Sequence, residues 1–566
     1  MLRILLGRAR TGKSARVLEE IRALGDSSQQ ILLVPEHASH VAEVDVCRAC
    51  GVTASRHAEV LTFKLLASRV LTLTGGAAEV TLDTGGKLLL LQRVLVSLAP
   101  SLRVYRRPSQ RAAFLESLLA LIEELQAYAV APEVLAEKAE TVAGESGERL
   151  RDVALLYGAY LAKIHEGGRD ARDRLEKLEE NLAASGYADN KDIFLDGFSY
   201  FTGRERNILR ILLKRAKSVT VTLLGDGSDS ELFAEGLRVR EQLYALARDA
   251  GVPCTEEVLR GGAPRDALGH VEKHFFGGNV RWDEPTEQLR LYEASTAYDE
   301  AERIAAEILR LVRCEGYRFR DITVTSRDMD AAEPVLRTVF ARCGIPLYCA
   351  RRSDILRRGV PALLLGALDA VSGGFEYEDV FRCLKTGLAG LSAEECDLLE
   401  NYVIKWDIRG AMWTRDVPWT AHPEGYGVPW RTEHEEMLAR VNAAREKVRA
   451  PLSHLYEGVR GTGDVEGKVT ALYNYLTEIA LPEELQRQTE TLWQRGETQR
   501  AEELAQLWNV LCGVLDQFVE MLGGTELDAE EFARLMRLVL TQYSVGTIPV
   551  SLDRVSLAEM TRNDRH

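Results

Sequence analysis

The sequence predicts an α/β protein of two parallel-sheet lobes, each carrying a largely helical insertion. Three observations predict it. The opening residues read strand, loop, helix, strand. Short apolar runs suited to buried parallel strands return at wide intervals. Two long stretches of helical spacing lie between those runs.

Leu2–Leu6 (LRILL) is the first apolar run. A Gly-rich turn follows, and Ala15–Leu24 then places apolar residues at helical spacing. Gln30–Val34 (QILLV) is the second run, closed by Pro35. Further strands are expected at Asp192–Leu195, Ser218–Leu224, Leu289–Glu293, Asp321–Thr325 and Val550–Val555. From about Leu82 to Gly186 the pattern is helical, as in Ala112–Ala127 and Leu150–Ile164. Helical spacing returns at Ala301–Arg313 and dominates from about Pro361 to Leu540, broken by an aromatic loop at Trp413–Trp430. Gly261–Pro285, rich in Gly, Pro and Asp, reads as a loop and hinge. The expected domains are therefore 1–285, with an insertion at about 82–186, and 286–566, with an insertion at about 361–540.

At roughly 150 residues per domain, 566 residues make three to four domains. With 46% hydrophobic and 28% charged residues, wholesale disorder is excluded. The net charge of −15 excludes a globally basic nucleic-acid coat and leaves room only for a local basic strip. Nine scattered cysteines do not make a disulfide scaffold, and a cytoplasmic location is expected. The apolar start is too short for a signal peptide. No apolar stretch reaches the roughly 18 residues of a membrane span, so no membrane partner is expected. Glu559–His566 carries no stop signal, and the chain reads as a fragment.

Gly7-Arg8-Ala9-Arg10-Thr11-Gly12-Lys13-Ser14 matches G-x-x-x-x-G-K-[ST], between a strand and a helix. The two glycines let backbone N–H groups face phosphate oxygens, and the helix adds its positive end. Lys13 reaches the β and γ phosphates and the Ser14 hydroxyl ligates Mg²⁺, so ATP and Mg²⁺ are the expected ligands. Asp196, ending the run Ile193-Phe-Leu, is the expected metal-side carboxylate. A hydrolytic motor also wants an acid beside it, and Gly197 stands there. Glu205 reads either as the end of a capping box from Thr202 or as a water-polarising acid. Gly225-Asp226-Gly-Ser-Asp229 reads as a turn or as a degraded phosphate sensor, because Asp229 would repel a γ-phosphate.

Together these pieces resemble the AddB family, the second subunit of the bacterial ATP-dependent helicase/deoxyribonuclease. Leu32-Leu-Val-Pro35-Glu36 is similar to the family's LLVPEQ, with His37 in place of Gln. Asp196-Gly-Phe-Ser-Tyr-Phe-Thr-Gly-Arg-Glu205 resembles its DGF-x-x-F-T-x-x-E. Asp299–Glu302 with Gly316–Ile322, Lys385–Leu388, Glu400–Val403, Ile408–Gly410 with Trp413, and Val545–Pro549 with Leu552-Asp553 resemble later segments in the family's order. The resemblance implies two RecA-like lobes of superfamily 1 type that have lost motor function. It places Arg327 near nucleotide. It implies an AddA-like motor-nuclease partner in a heterodimer, a channel for single-stranded DNA, Chi recognition, and break processing for recombinational repair. A nuclease module of 5′→3′ exonuclease activity and a 4Fe-4S cluster are also implied, both expected beyond residue 566.

Other signals are weaker. Cys47-x-x-Cys50 lacks a second ligand pair and reads as buried thiols. Asp464-Val-Glu466-Gly-Lys468 contains an acid-x-Lys element without the further acids of a two-metal site, and reads as a loop. His37 and His40 read as a helix start. Arg103, Arg106, Arg107 and Arg111 form one basic cluster, and Arg351, Arg352, Arg357 and Arg358 another. With Phe63, Tyr200 and Phe201 they are candidate DNA contacts or ordinary surface and core. An autonomous DNA-dependent ATPase or helicase is the rival reading. It wants an acid beside Asp196 and a Gln in the sensor loop. A compact nucleotide kinase does not fit two lobes with long insertions.

Overall fold

The structure, a computed structural model, describes residues 1–51, 53–75, 82–106, 112–166, 174–228, 231–260, 266–275, 280–349, 359–461, 463–543 and 553–559. It is a mixed α/β protein with two parallel sheets and many helices.

The first sheet holds β1 (Leu2–Gly7), β2 (Gln30–Leu33), β3 (Ala58–Leu61), β4 (Asp192–Leu195), β5 (Ser218–Leu224) and β6 (Cys254–Leu259). Its order is β3-β2-β4-β5-β1-β6, and every pair is parallel. Side chains alternate across it. Leu2, Ile4 and Leu6 face the helices Phe63–Thr74, Arg174–Ser185, Gly203–Arg215 and Ala234–Ala250. Leu5, Leu32 and Phe194 face the opposite way, toward Val17 and Ile21 of the helix Lys13–Leu24 and Val46 of the helix Ser39–Cys50. A sheet covered on both faces explains why the central strands read as continuous apolar runs. β6 escapes that pattern because it is an edge strand, and Thr255 and Glu256 point to solvent.

A second, three-stranded parallel sheet has the order β7-β9-β8: β7 (Thr323–Ser326), β8 (Leu347–Cys349) and β9 (Val555–Glu559). Its middle strand comes from the far end of the chain. Val555 and Leu557 pack on Ala305 and Ile308 of the helix Ala297–Cys314 and on Phe340 of the helix Met329–Arg342. The expected strand at Leu289–Glu293 does not form. Leu291 is 98% exposed, and no described strand lies beside this segment. Its alternate side chains turn to the neighbouring helix instead: Arg290 pairs with Glu307 at 3.0 Å, and the Arg303 guanidinium lies 4.2 Å from the Tyr292 ring centroid.

The helices of residues 84–166 and 359–541 do not form two separate bodies. Leu88, Leu91, Leu119, Ile122 and Tyr160 share one continuous core with Leu364, Leu368, Phe518, Phe532 and Met536. Polar links cross the same junction. Tyr543 donates to Asp83 at 2.6 Å, and Gln517 donates to Asp83 at 2.8 Å.

Three local expectations change. Gly261–Pro285 contains the helix Ala267–His274. Asp464 caps the helix Val465–Glu478 by accepting from Gly467 N at 2.9 Å, so that segment is a helix start and not a loop. Cys47 is exposed, and Cys50 is half-buried against the core beneath the helix Lys13–Leu24, so the pair is not buried as expected. No described helix is long and apolar enough to cross a membrane.

Candidate functional site

The C-terminal ends of β1, β4 and β5 converge, because these strands are neighbours or next neighbours in the sheet. β1 hands over at Gly7 to the turn Arg8–Gly12. A Cβ at Gly7 would lie 2.2 Å from Thr11 Oγ1 and 3.2 Å from Lys13 Cγ, so a side chain there would displace the Thr11 hydroxyl from its place in the turn. Arg10 and Gly12 take left-handed backbone angles, φ 58° and 86°. Thr11 ties the turn by donating its hydroxyl to the Arg8 carbonyl at 2.9 Å. Gly12, at the N-cap of the helix Lys13–Leu24, offers no side-chain acceptor, which leaves the first-turn N–H groups for another partner.

Lys13 folds back over the turn. Its ammonium donates to the Gly7 carbonyl at 2.8 Å and the Arg8 carbonyl at 2.7 Å. Burial pushes its pKa below the ordinary lysine value, while the charge of Asp196 pulls the other way. Asp196 therefore lies within electrostatic reach of the ammonium. It is positioned by its own N–H bonded to Leu33 O at 3.0 Å and by the Thr222 hydroxyl, which donates to Oδ1 at 2.5 Å. Ser14 is half-buried in the first turn of the helix.

Arg8 points across to β5 and beyond. It donates to Asp226 Oδ2 from Nη2 at 3.0 Å and from Nε at 3.3 Å, and reaches Glu272 at 3.2 Å. Asp226 closes the turn after β5, accepting from the Ser228 hydroxyl at 2.5 Å and the Ser228 N–H at 2.9 Å. The Ser228 bonds first, and the Arg8 guanidinium after them, hold its carboxyl down to about 2. Asp229 lies outside the described residues.

The Glu205 carboxylate is occupied in its own helix cap. It accepts from Thr202 N at 2.8 Å and Thr202 Oγ1 at 3.0 Å. Arg327 is exposed just after β7. Ala9 and Arg10 are exposed at the tip of the turn. Arg106 is exposed, and Arg103 pairs with Glu148 at 3.2 Å. Arg107, Arg111, Arg351, Arg352, Arg357 and Arg358 lie outside the described residues. Phe63 and Phe201 are buried against Phe198, with ring centroids 5.6 and 5.2 Å away, so neither offers a face to a base. Tyr200 is exposed.

The partners of Arg8 and of Asp196 were not read from the sequence. Thr222 left a signal, a polar residue near the end of a strand buried on both faces. Asp226 left none that pointed to Arg8. The arrangement can hold a polyphosphate: helix N–H groups without a side-chain cap, an ammonium bonded to carbonyls of its own loop, and the Asp196 charge within electrostatic reach of that ammonium. Mg²⁺ commonly takes only one or two protein ligands and completes its shell with phosphate and water, which suits Ser14 and Asp196. Among the described residues no group of three or more His, Cys, Asp or Glu is arranged to hold a metal ion alone.

Comparison with known proteins points to the same family as the sequence resemblance. Residues 4–272 match the family described as ADDB, N-terminal. The chain is 31% identical over 583 aligned positions to the B subunit of the ATP-dependent helicase/deoxyribonuclease of Acetivibrio thermocellus, covering 100% of this chain and 51% of that protein. It is 31% identical over 581 positions to the protein of the same name in Caldanaerobacter subterraneus subsp. tengcongensis (100% and 50%) and 29% identical over 584 to that of Clostridium botulinum strain Loch Maree (100% and 51%). The chain thus spans about half the length of these curated relatives. Residues 4–272 carry the AddB N-terminal family match, and the whole chain is similar to the B subunits of ATP-dependent helicase/deoxyribonucleases.

Proposed function

We propose that this chain is the nucleotide- and DNA-binding portion of an AddB-like subunit in a helicase–nuclease that processes DNA breaks for recombinational repair. The carrying observation is the turn itself: Gly12 in left-handed backbone at the helix start, and the Lys13 ammonium folded over the loop at 2.8 Å from Gly7 O and 2.7 Å from Arg8 O. In this reading Gly7–Ser14 binds ATP, and Ser14 and Asp196 hold Mg²⁺. Residues 1–285 and 286–566 are two RecA-like lobes, and Arg327 approaches the nucleotide from the second.

The motor is inactive in this reading. The position after Asp196 is Gly197, in left-handed backbone at φ 81°, and Glu205 is held in its cap. An AddA-like partner supplies translocation, while this subunit grips single-stranded DNA and takes part in Chi recognition. The exonuclease and the 4Fe-4S cluster belong to the part of the subunit that this chain does not span.

The test is binding of Mg²⁺-ATP by the wild type and Lys13→Ala, followed by turnover with and without single-stranded DNA. Binding lost in Lys13→Ala, with no turnover above that variant, is the expected result. Turnover that DNA stimulates and Lys13→Ala abolishes would replace the inactive-motor reading with an autonomous ATPase. Equal binding by both proteins would remove the nucleotide site itself.

A further inference from the structure

The phosphate turn is tied through the Arg8 side chain to the segment that leaves the first sheet, by groups that lie outside Gly7–Ser14. Arg8 reaches Glu272 on the helix Ala267–His274 at 3.2 Å. The same helix grips the connecting segment at two further points. Asp266, its N-cap, accepts from Gln288 at 2.8 Å, and His270 lies 3.0 Å from Val280 O with its ring 5.4 Å from that of Trp282. The connecting segment then reaches the helix Ala297–Cys314 of the second sheet through Arg290 and Glu307, 3.0 Å apart. A continuous path runs from the phosphate turn to the second sheet.

That path has a reason to respond to ligand. The Arg8 carbonyl accepts from Thr11 Oγ1 at 2.9 Å and from Lys13 Nζ at 2.7 Å. A phosphate that takes the Lys13 ammonium removes one of those bonds from the residue whose guanidinium holds Asp226 and Glu272. Resting on the nucleotide-binding reading above, we infer that Arg8 is a positioning residue that couples occupancy of Gly7–Ser14 to the helix Ala267–His274 and the connecting segment 280–296. Coupling of this kind is reciprocal: loosening the Arg8–Glu272 contact shifts nucleotide affinity, and nucleotide shifts the segment. The contact is partly exposed, with Arg8 at 29% and Glu272 at 40%, so the shift is modest.

Amide hydrogen exchange of the full chain, with and without Mg²⁺-ATP, tests this in the wild type, Glu272→Gln and Glu272→Asp. Glu272 touches no phosphate-binding group except through Arg8. The wild type is expected to change exchange across 267–296 when ATP binds. Glu272→Gln should bind ATP within about threefold of the wild type and lose most of that change, and Glu272→Asp should recover part of it. Ordinary ATP binding with no change across 267–296 in the wild type overturns the coupling. So does a change that Glu272→Gln leaves intact. Failure of the wild type to bind ATP overturns the nucleotide reading first, and the coupling with it. A merely structural role for Glu272 would alter exchange equally with and without nucleotide.

Discussion

Gln92 Nε2 donates to Glu531 Oε1 at 2.9 Å, joining residues 439 positions apart in the sequence. Gln92 lies in the helix Thr84–Leu98, and Glu531 is in the first turn of the helix Ala529–Thr541. The bond marks the seam where two helical stretches, inserted into different parts of the chain, close into one core. The seam is mostly apolar: Leu88, Leu91 and Leu95 on one side, Phe532, Leu535 and Met536 on the other.

One core implies one cooperative unit. Leu91 is fully buried in it. Leu91→Ala should destabilise the helical body by about 2–5 kcal/mol, the usual range for a buried leucine truncated to alanine. Exchange protection should fall in 529–541 as well as in 84–98. Two independent bodies would instead confine the loss to 84–166, and hydrogen exchange separates the outcomes.

The seam also has a pH signature. Burial is the largest influence on Glu531 and raises its pKa, against the pull of Arg534. A raised carboxyl favours the folded state only while protonated, so its contribution is present below the unfolded value and is lost as pH rises through the folded one. Glu531→Gln keeps an oxygen for Gln92 and removes the charge. It should raise Tm near pH 7 and lose that advantage near about pH 4, where glutamate is largely protonated in the unfolded chain too. Thermal melts at both pH values check it, and a stabilisation equal at both would count against burial as the cause.

How far the sequence revealed this follows the same division between local and tertiary. β1, β2, β4 and β5 were legible because a strand covered on both faces must be apolar throughout. β3, β6 and β8 were not: all three lie at sheet edges, where polar residues are tolerated. Leu289–Glu293 has a strand's composition but no neighbouring strand among the described residues, and composition alone does not supply one. The turn Gly7–Ser14 was legible because its chemistry is carried by backbone angles and spacing within eight consecutive residues. The Arg8–Asp226 pair spans 218 positions and depends on β1 and β5 being neighbours, which no local pattern states.

Asp152 makes a different kind of anchor. Its buried carboxylate accepts from the backbone N–H groups of Arg103 at 3.1 Å, Val104 at 2.8 Å and Tyr105 at 3.0 Å. It holds the turn that carries Arg103 and leads to Arg106, the first two members of the basic cluster. Hydrogen bonds to a charged group contribute about 1.5–3 kcal/mol each. Asp152→Ala leaves three donors without that acceptor and should cost about 3 kcal/mol or more in urea unfolding, with Asp152→Asn costing less. Equal, small losses for both variants would show that water replaces the carboxylate.

Glu205 separates two roles by chemistry. Its carboxylate accepts from Thr202 N and Oγ1, as a cap requires. Glutamine at this position caps as well, but it cannot take a proton from water. Glu205→Gln should therefore leave Tm and any ATP turnover close to the wild type, while Glu205→Ala should cost about 1 kcal/mol of stability. A turnover that falls tenfold or more in Glu205→Gln with Tm unchanged would reassign Glu205 to water activation.

The close approach at Gly7 gives the sharpest test of the phosphate turn. The β-carbon of Gly7→Ala would meet Thr11 Oγ1 at 2.2 Å, a distance no atom pair tolerates, and Lys13 Cγ at 3.2 Å. The Thr11 hydroxyl must leave its place in the turn to admit it, and these contacts identify Thr11 and Lys13 as the residues that move. Gly7 ends a buried strand whose remaining partners are unaffected, so the sheet should survive while the turn distorts. Gly7→Ala should weaken Mg²⁺-ATP binding by about tenfold or more, equivalent to about 1.4 kcal/mol. Thr11→Ala added to it removes the worst contact and leaves the milder ones, at Lys13 Cγ and the Cβ of position 11. The double variant should recover part of the lost affinity, although Thr11→Ala alone gives up the hydroxyl bond to Arg8 O. Titration calorimetry on the four proteins forms a double-mutant cycle. A cycle without coupling would mean that the 2.2 Å contact is not what excludes a side chain from position 7.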